Sequence, residues 1–254
     1  MVNLLVCIKR VPEIAGEILL SQDGHSIDAR HVGHTLSEHD ECAIELAVGL
    51  AGDTGGEVRV LSLGTAEAAE QLRYAVALGA GAATLITADP ESYGPADVAA
   101  AIAAEVRASP AAYDLILVGN DAADTGDFQV GVRLGFALGR PVLTGINTAE
   151  IHGSSVLARG AGPQGTDVFE VPLPAVMAVQ EGGVEPRYPS IRGRLKAKRL
   201  SIDRKDPLIE PIGSGRVKLT LPPTKPSTVQ ILGEGPDAVP ALVEILASSG
   251  VLNR

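Results

Sequence analysis

Tryptophan is missing from this chain, and only four tyrosines and three phenylalanines occur among its 254 residues. Single-stranded nucleic acid is usually held on stacked aromatic rings, so that class of partner is excluded. Excess positive charge is missing as well: 31 acidic residues against 21 basic ones leave a net charge of −10. Binding a phosphate backbone takes a broad basic face, which this composition does not supply. The only two cysteines, Cys7 and Cys42, suggest no disulfide framework by number or spacing. No apolar run approaches the roughly 20 residues of a membrane span, and the opening MVNLLVCIKRVP shows no signal peptide. These absences describe a soluble protein of a reducing compartment, the cytoplasm, that inserts into no membrane.

Apolar content, by contrast, is ample. Hydrophobic residues make up 45% of the chain, enough for one large domain or one domain with an appendage. VNLLVCI at 2–8, EVRVLSLG at 57–64, AATLITA at 82–88 and YDLILVGN at 113–120 read as strands buried on both faces. Between them lie helical stretches. One follows Ser37, its N-cap, with Glu38, Asp40 and Glu41 in the first turn and Gly52 at the close. Others run from Thr65 to Gly79, over 95–109 and over 127–139. Strand and helix alternating in this way specify an open, mostly parallel, doubly wound α/β sheet of Rossmann-like type.

Past Pro141 short β-type runs between glycine-rich turns predict antiparallel strands that extend the sheet, ending in AVMAV. From 184 onward the chain reads as irregular and proline-rich, with a final amphipathic helix at about 238–249. Residues 1–183 are therefore expected to form an α/β domain with its antiparallel extension. Residues 184–199 form a separate segment, and 200–254 an arm that lies on another surface.

In such sheets ligands sit outside the carboxyl ends of the strands, near the switch in strand order. Cys7–Pro12, the helix start at Ser37, Ser62–Thr65 and Gly119–Gly131 arrive there. GNDAADTGDFQVG leaves a strand, crosses a small-residue turn and opens a helix whose first amides can hold a phosphate. No P-loop lysine and no G-x-G-x-x-G after the first strand accompany it. His25, His31, His34 and His39, with Asp40 and Cys42, fall close together but match no specific metal pattern. No nucleophile elbow or Cys–His pair is present, so any redox chemistry belongs to a bound cofactor.

One segment runs against the overall charge. VEPRYPSIRGRLKAKR at 184–199 holds Arg187, Arg192, Arg194, Lys196, Lys198 and Arg199 against a single acid, Glu185. Together with CIKRVP, LSLGTAEAAEQLRYAVALGA, the GNDAADTGDFQVG loop and LPAVMAV, this segment resembles the beta subunit of electron-transfer flavoprotein over essentially the whole chain. The resemblance implies an adenine-nucleotide-binding α/β domain paired with an alpha subunit that carries most of the FAD. Such a heterodimer takes electrons from acyl-CoA and related dehydrogenases and passes them to a quinone oxidoreductase or another acceptor, so the chain is expected to be a carrier subunit and not itself an enzyme. The beta pocket holds AMP, or a second FAD in the electron-bifurcating branch. From another class, a stand-alone nucleotide-sensing or ATP-hydrolysing α/β domain would need neither the arm nor the basic segment.

Carried onto this sequence, the pocket comprises Cys7; the turn Ser37, Glu38, His39 and Asp40; Leu63 with Gly64; and Gly119, Asn120, Asp121, Ala122, Asp124, Gly126, Asp127, Phe128, Gln129, Val130 and Gly131. The basic segment resembles the family's recognition loop, with Ile191 as the aliphatic anchor and Arg187, Tyr188, Arg194, Lys196 and Lys198 around it to meet acidic partner surfaces. The chain departs from the family at three places. SEHD replaces Asn-Pro-Phe/Tyr-Asp/Cys, Ile14 replaces an aromatic, and RGAGPQGTD at 159–167 has lost most of its acids. They suggest a divergent paralogue with an electron donor of its own.

Overall fold

The structure, a computed structural model, describes residues 1–13, 18–28, 30, 32–215, 217–223 and 229–253. The segment Met1–Leu219 forms one compact unit and Thr220–Arg254 a second.

In chain order the first unit contains β1 (Leu4–Cys7), β2 (Val11–Pro12), β3 (His34–Thr35), α1 (Glu38–Thr54), β4 (Val58–Gly64), α2 (Ala69–Leu78), β5 (Ala82–Thr87) and α3 (Pro95–Ala108). It continues through β6 (Leu115–Gly119), α4 (Val130–Leu138), β7 (Val142–His152), β8 (Ser155–Gly162), β9 (Gly165–Pro172), β10 (Ala175–Val179), α5 (Ile191–Arg199) and β11 (Asp203–Lys205). Nine strands make one sheet in the order β11-β5-β4-β1-β6-β10-β7-β8-β9. Pairing is parallel from β11 through β7 and antiparallel across β7, β8 and β9. β2 and β3 form a small separate ladder.

The apolar runs become the middle of this sheet because only strands covered on both faces can hide them. Every residue of β1 and β10 is buried. Alternate side chains of β1 enter two different cores. Leu4 and Val6 join Ile44, Leu72 and the rest of the α1–α2 layer, whereas Leu5 and Cys7 join Ile102, Leu134 and the α3–α4 layer. Each fully buried Leu or Ile contributes about 1.5–3 kcal/mol of burial free energy. The chain steps from β1 outward to β4 and β5, then returns to place β6 on the other flank of β1. The topological switch therefore lies between β1 and β6. The doubly wound α/β expectation and the antiparallel extension are both met.

The described residues from 200 to 215 belong to the first unit. β11 adds to the free edge of β5, and Lys205 pairs with Glu105 of α3. The Asp97 carboxylate accepts the Ile212 and Gly213 amides at 3.0 Å each. Those amides, the Ile212 one foremost, hold its pKa below the usual carboxylate range. The second unit carries α6 (Val239–Ser248), none of whose residues is buried.

Candidate functional site

Asp40 is the brace of the switch point. It sits in the first turn of α1, whose N-cap Ser37 accepts the Asp40 amide at 3.2 Å. Its carboxylate turns inward and accepts two amides from different loops: Lys9, just past β1, at 2.9 Å, and Gly119, the last residue of β6, at 3.1 Å. One side chain thus ties the ends of both strands that flank the switch. Position 119 has to be glycine here, because a Cβ would lie 2.5 Å from Asp40 Oδ1. Burial pushes the Asp40 carboxyl up to about 7, against the lowering effect of the two amides. The neighbouring Cys7 thiol is also pushed up, by burial first and then by Asp40.

The loop from Asn120 to Gln129 hangs from this brace. At its root Asn120 donates its amide to Val179 O at 2.8 Å, and its side chain accepts the Gly145 amide at 2.9 Å. Ala122 O accepts the Thr125 and Gly126 amides at 3.1 and 2.9 Å, closing a turn. Farther out, Lys9 Nζ meets Asp124 Oδ1 at 2.7 Å, and Phe128 adopts φ +51°, rare for a non-glycine residue. α4 then begins with no side chain capping its first amides. Gln129 instead accepts Arg133 Nε and Nη2, at 3.0 and 2.8 Å. Bare amides at a helix start suit an anion.

Most of the sequence-named pocket residues gather at this end. Cys7, Ser37 and Asp40 form the buried floor, and Gly119 is half-buried at the end of β6. His39, Asn120, Asp121, Ala122, Asp124, Asp127 and Val130 are half-buried, and Leu63 and Gly64 end the adjacent strand β4. Glu38, Gly126, Phe128 and Gln129 are exposed. Gly131 has a packing role: a Cβ there would lie 2.9 Å from Val118 Cγ2, where α4 presses on the sheet. Ile14 and His31 lie outside the described residues. Among the described residues no cluster of three or more His, Cys, Asp or Glu side chains could hold a metal ion. A cleft of about 810 Å³ opens at the opposite, amino end of the strands, beside Asn3, Glu57, Arg59 and Tyr113. It gathers none of the named residues.

The basic segment ends in a helix, α5, whose nine residues follow the non-helical stretch 184–190. Ser190 caps α5 by accepting the Gly193 amide at 3.0 Å, and Lys196, Lys198 and Arg199 in its last turn oppose the helix dipole favourably. Tyr188 and Ile191 are 93% and 81% exposed, an unusual state for large apolar side chains. The cations divide into two groups. Arg187 Nε meets Glu45 Oε1 at 2.6 Å, and Lys196 Nζ donates to Ala80 O at 3.3 Å. Arg192, Arg194, Lys198 and Arg199 are exposed and pair with no carboxylate among the described residues.

A doubly wound parallel sheet, braced at its switch point and extended by three antiparallel strands, places the chain among the α/β proteins that take ligands at the carboxyl edge. A profile of the electron transfer flavoprotein domain matches residues 26–207. The chain is 32% identical to the electron transfer flavoprotein subunit beta of Syntrophomonas wolfei over 91% of its own length and 90% of that protein. It is 31% identical to the Bacillus subtilis subunit beta, over 97% and 98%, and 33% identical to that of Clostridium acetobutylicum, over 74% and 72%. The chain belongs to the electron transfer flavoprotein family, on the side of its beta subunits.

Proposed function

We propose that this chain pairs with an alpha subunit, holds AMP in the β1–β6 cleft, and helps enclose an FAD that carries electrons from a dehydrogenase to an acceptor. The observation that carries the AMP site is the Asp40 brace beside the uncapped start of α4. The first amides of α4, which no side chain caps, support a phosphate at the switch point, while the Lys9 and Gly119 amides are taken up by Asp40. The loop fits a small anion better than a highly charged one, since Asp121, Asp124 and Asp127 all sit on it and, among the described residues, only Lys9 answers them at contact distance. Bound flavin supplies the redox chemistry. This chain's part is to shape the nucleotide end, keep Asp40 and the loop in place, and present α5 to partners.

α5 is the docking surface in this reading. Ile191 projects from its first turn and Tyr188 from the residues just before it, and Arg192, Arg194, Lys198 and Arg199 of the same segment pair with no carboxylate among the described residues. An acidic protein with one basic, apolar-tipped face steers toward an acidic partner with an apolar socket. The arm supports the same heterodimer: Val239, Leu242, Val243 and Ile245 of α6 remain exposed, an apolar stripe suited to the alpha subunit. His39 in place of the family's aromatic, and the acid-poor turn between β8 and β9, mark a divergent member of the family.

Copurification with the alpha subunit, followed by ligand extraction, tests the pocket. AMP and FAD in equal amounts bear out the proposal. Two FAD per heterodimer without AMP indicates the bifurcating form. A flavin-free monomer that binds ATP and ignores any alpha subunit overturns both.

A further inference from the structure

A strap of chain connects the carboxyl end of β10, beside the switch point, to α5. Leaving β10, Gln180 donates its amide to Ile146 O at 2.8 Å, and Asn147 Nδ2 donates to Glu181 O at 2.7 Å. From there the strap follows one stripe of α1. Glu181 Oε2 lies 2.7 Å from His39 Nε2. Cys42 Sγ donates to Val184 O at 3.5 Å. Glu45 then takes Arg187 twice, Oε1 from Nε at 2.6 Å and Oε2 from the backbone amide at 3.4 Å. Positions 39, 42 and 45 are three apart and share one helix face.

Beyond Arg187 the chain turns into α5, which is fastened along α2. Arg187 Nη2 reaches Leu78 O at 3.4 Å and Lys196 Nζ reaches Ala80 O at 3.3 Å. Arg73 donates to Ala197 O and to Leu200 O, capping the far end. Glu45 is only 15% exposed at its side chain, so its pair with Arg187 is shielded on one side, unlike an ordinary surface pair.

Taking α5 as the docking surface, as above, we propose that Arg187 and Glu45 are positioning residues. Their clamp fixes where the docking helix begins, and only Arg192, Arg194, Lys198 and Arg199 act as steering charges. The clamp spends the Arg187 charge on the protein's own carboxylate, whereas the four exposed cations remain available to a partner. The segment therefore works as a rigid preformed face whose binding loses little ordering entropy.

The test uses the intact heterodimer with its alpha subunit and has two readouts. Amide hydrogen exchange follows α5, and flavin reduction by a purified acyl-CoA dehydrogenase is followed across ionic strength. Glu45→Gln and Arg187→Gln should each speed exchange in α5 by roughly tenfold while the central strands stay protected. Glu45→Gln should raise the KM for the dehydrogenase severalfold and leave its salt dependence unchanged, whereas Arg194→Gln should flatten the salt dependence and leave exchange unchanged. The swapped pair, Glu45→Arg with Arg187→Glu, should recover slow exchange. Unaltered exchange in both single variants overturns the clamp, as does an Arg187→Gln variant that behaves like Arg194→Gln. If Ile191→Ala leaves the KM untouched while Glu45→Gln still loosens α5, the docking reading fails and the clamp stands.

Discussion

The loop at 120–129 and the helix at 191–199 are surface elements of similar length at the two ends of one structural line, yet they are held in different ways. The loop is secured at its root by Asn120 and across its outer side by one ion pair, Lys9 with Asp124, and it stores a left-handed residue at Phe128. α5 is pinned at its start by Glu45, along its length by Lys196, and at its end by Arg73. An element that closes over a ligand needs freedom to move, and segments with few ties open at low free-energy cost. An element that meets a macromolecule gains from being fixed beforehand, because less order is lost on binding. Under the proposed function Asp40 and Glu45, on the same helix, serve the two cases.

The comparison is sharpest at Asp40. Burial holds its folded-state pKa at about 7, above the ordinary carboxylate value of 3.8. The folded protein therefore keeps a proton that the unfolded chain releases between those values. Stability from this group is full below about pH 4 and is lost as pH rises through 7, by roughly 4 kcal/mol in total. Thermal unfolding between pH 5 and 8 should show this decline in the wild type and a shallower one in Asp40→Asn. Equal slopes would remove Asp40 from the account.

Two glycine replacements should separate the ends. Gly119→Ala drives a Cβ into Asp40 and should cost about 1–3 kcal/mol, with loss of bound nucleotide and little change in α5. Gly193→Ala sets a Cβ 2.1 Å from Ala77 O. It should cost less, since a surface helix can lift away, but it should raise the KM for the electron donor while nucleotide content holds. Nucleotide loss in Gly193→Ala would show that the two ends are not separable. The smallest effect belongs to Ser190→Ala, which removes the N-cap of α5. A loss of about 1 kcal/mol, confined to exchange in that helix, is expected.

The sequence shows the central strands plainly, because runs such as LLVC and AVMAV have no other way to be buried. The Ser37 cap and the Pro95 helix start are local signals, and both elements begin where those residues stand. Ends are less legible. α1 continues past Gly52 to Thr54, since Gly55, not Gly52, takes the left-handed cap at φ +68°. α4 starts at Val130 and not at 127, because the turn closed on Ala122 and the left-handed Phe128 occupy the residues before it.

What the sequence hides is long-range. α5 reads as irregular because its nine residues include five cations and one glycine; the carbonyls and side chains that seat it come from α2. β11 is the triplet Asp-Arg-Lys, a strand only by pairing with the edge of β5. The roles of Asp40 and Glu45 depend on partners 79 and 142 residues away, beyond the reach of any local pattern. Arg187 looks like one more basic residue in a basic run until its carboxylate is located.

The separation of frame from face within α5 has an evolutionary consequence. Arg73, Glu45 and Arg187 hold the helix from beneath, while Ile191 and the four outward cations make none of those bonds. If α5 docks a redox partner as proposed, lineages can exchange those outward side chains, and so acquire a different partner, without disturbing the scaffold that presents them.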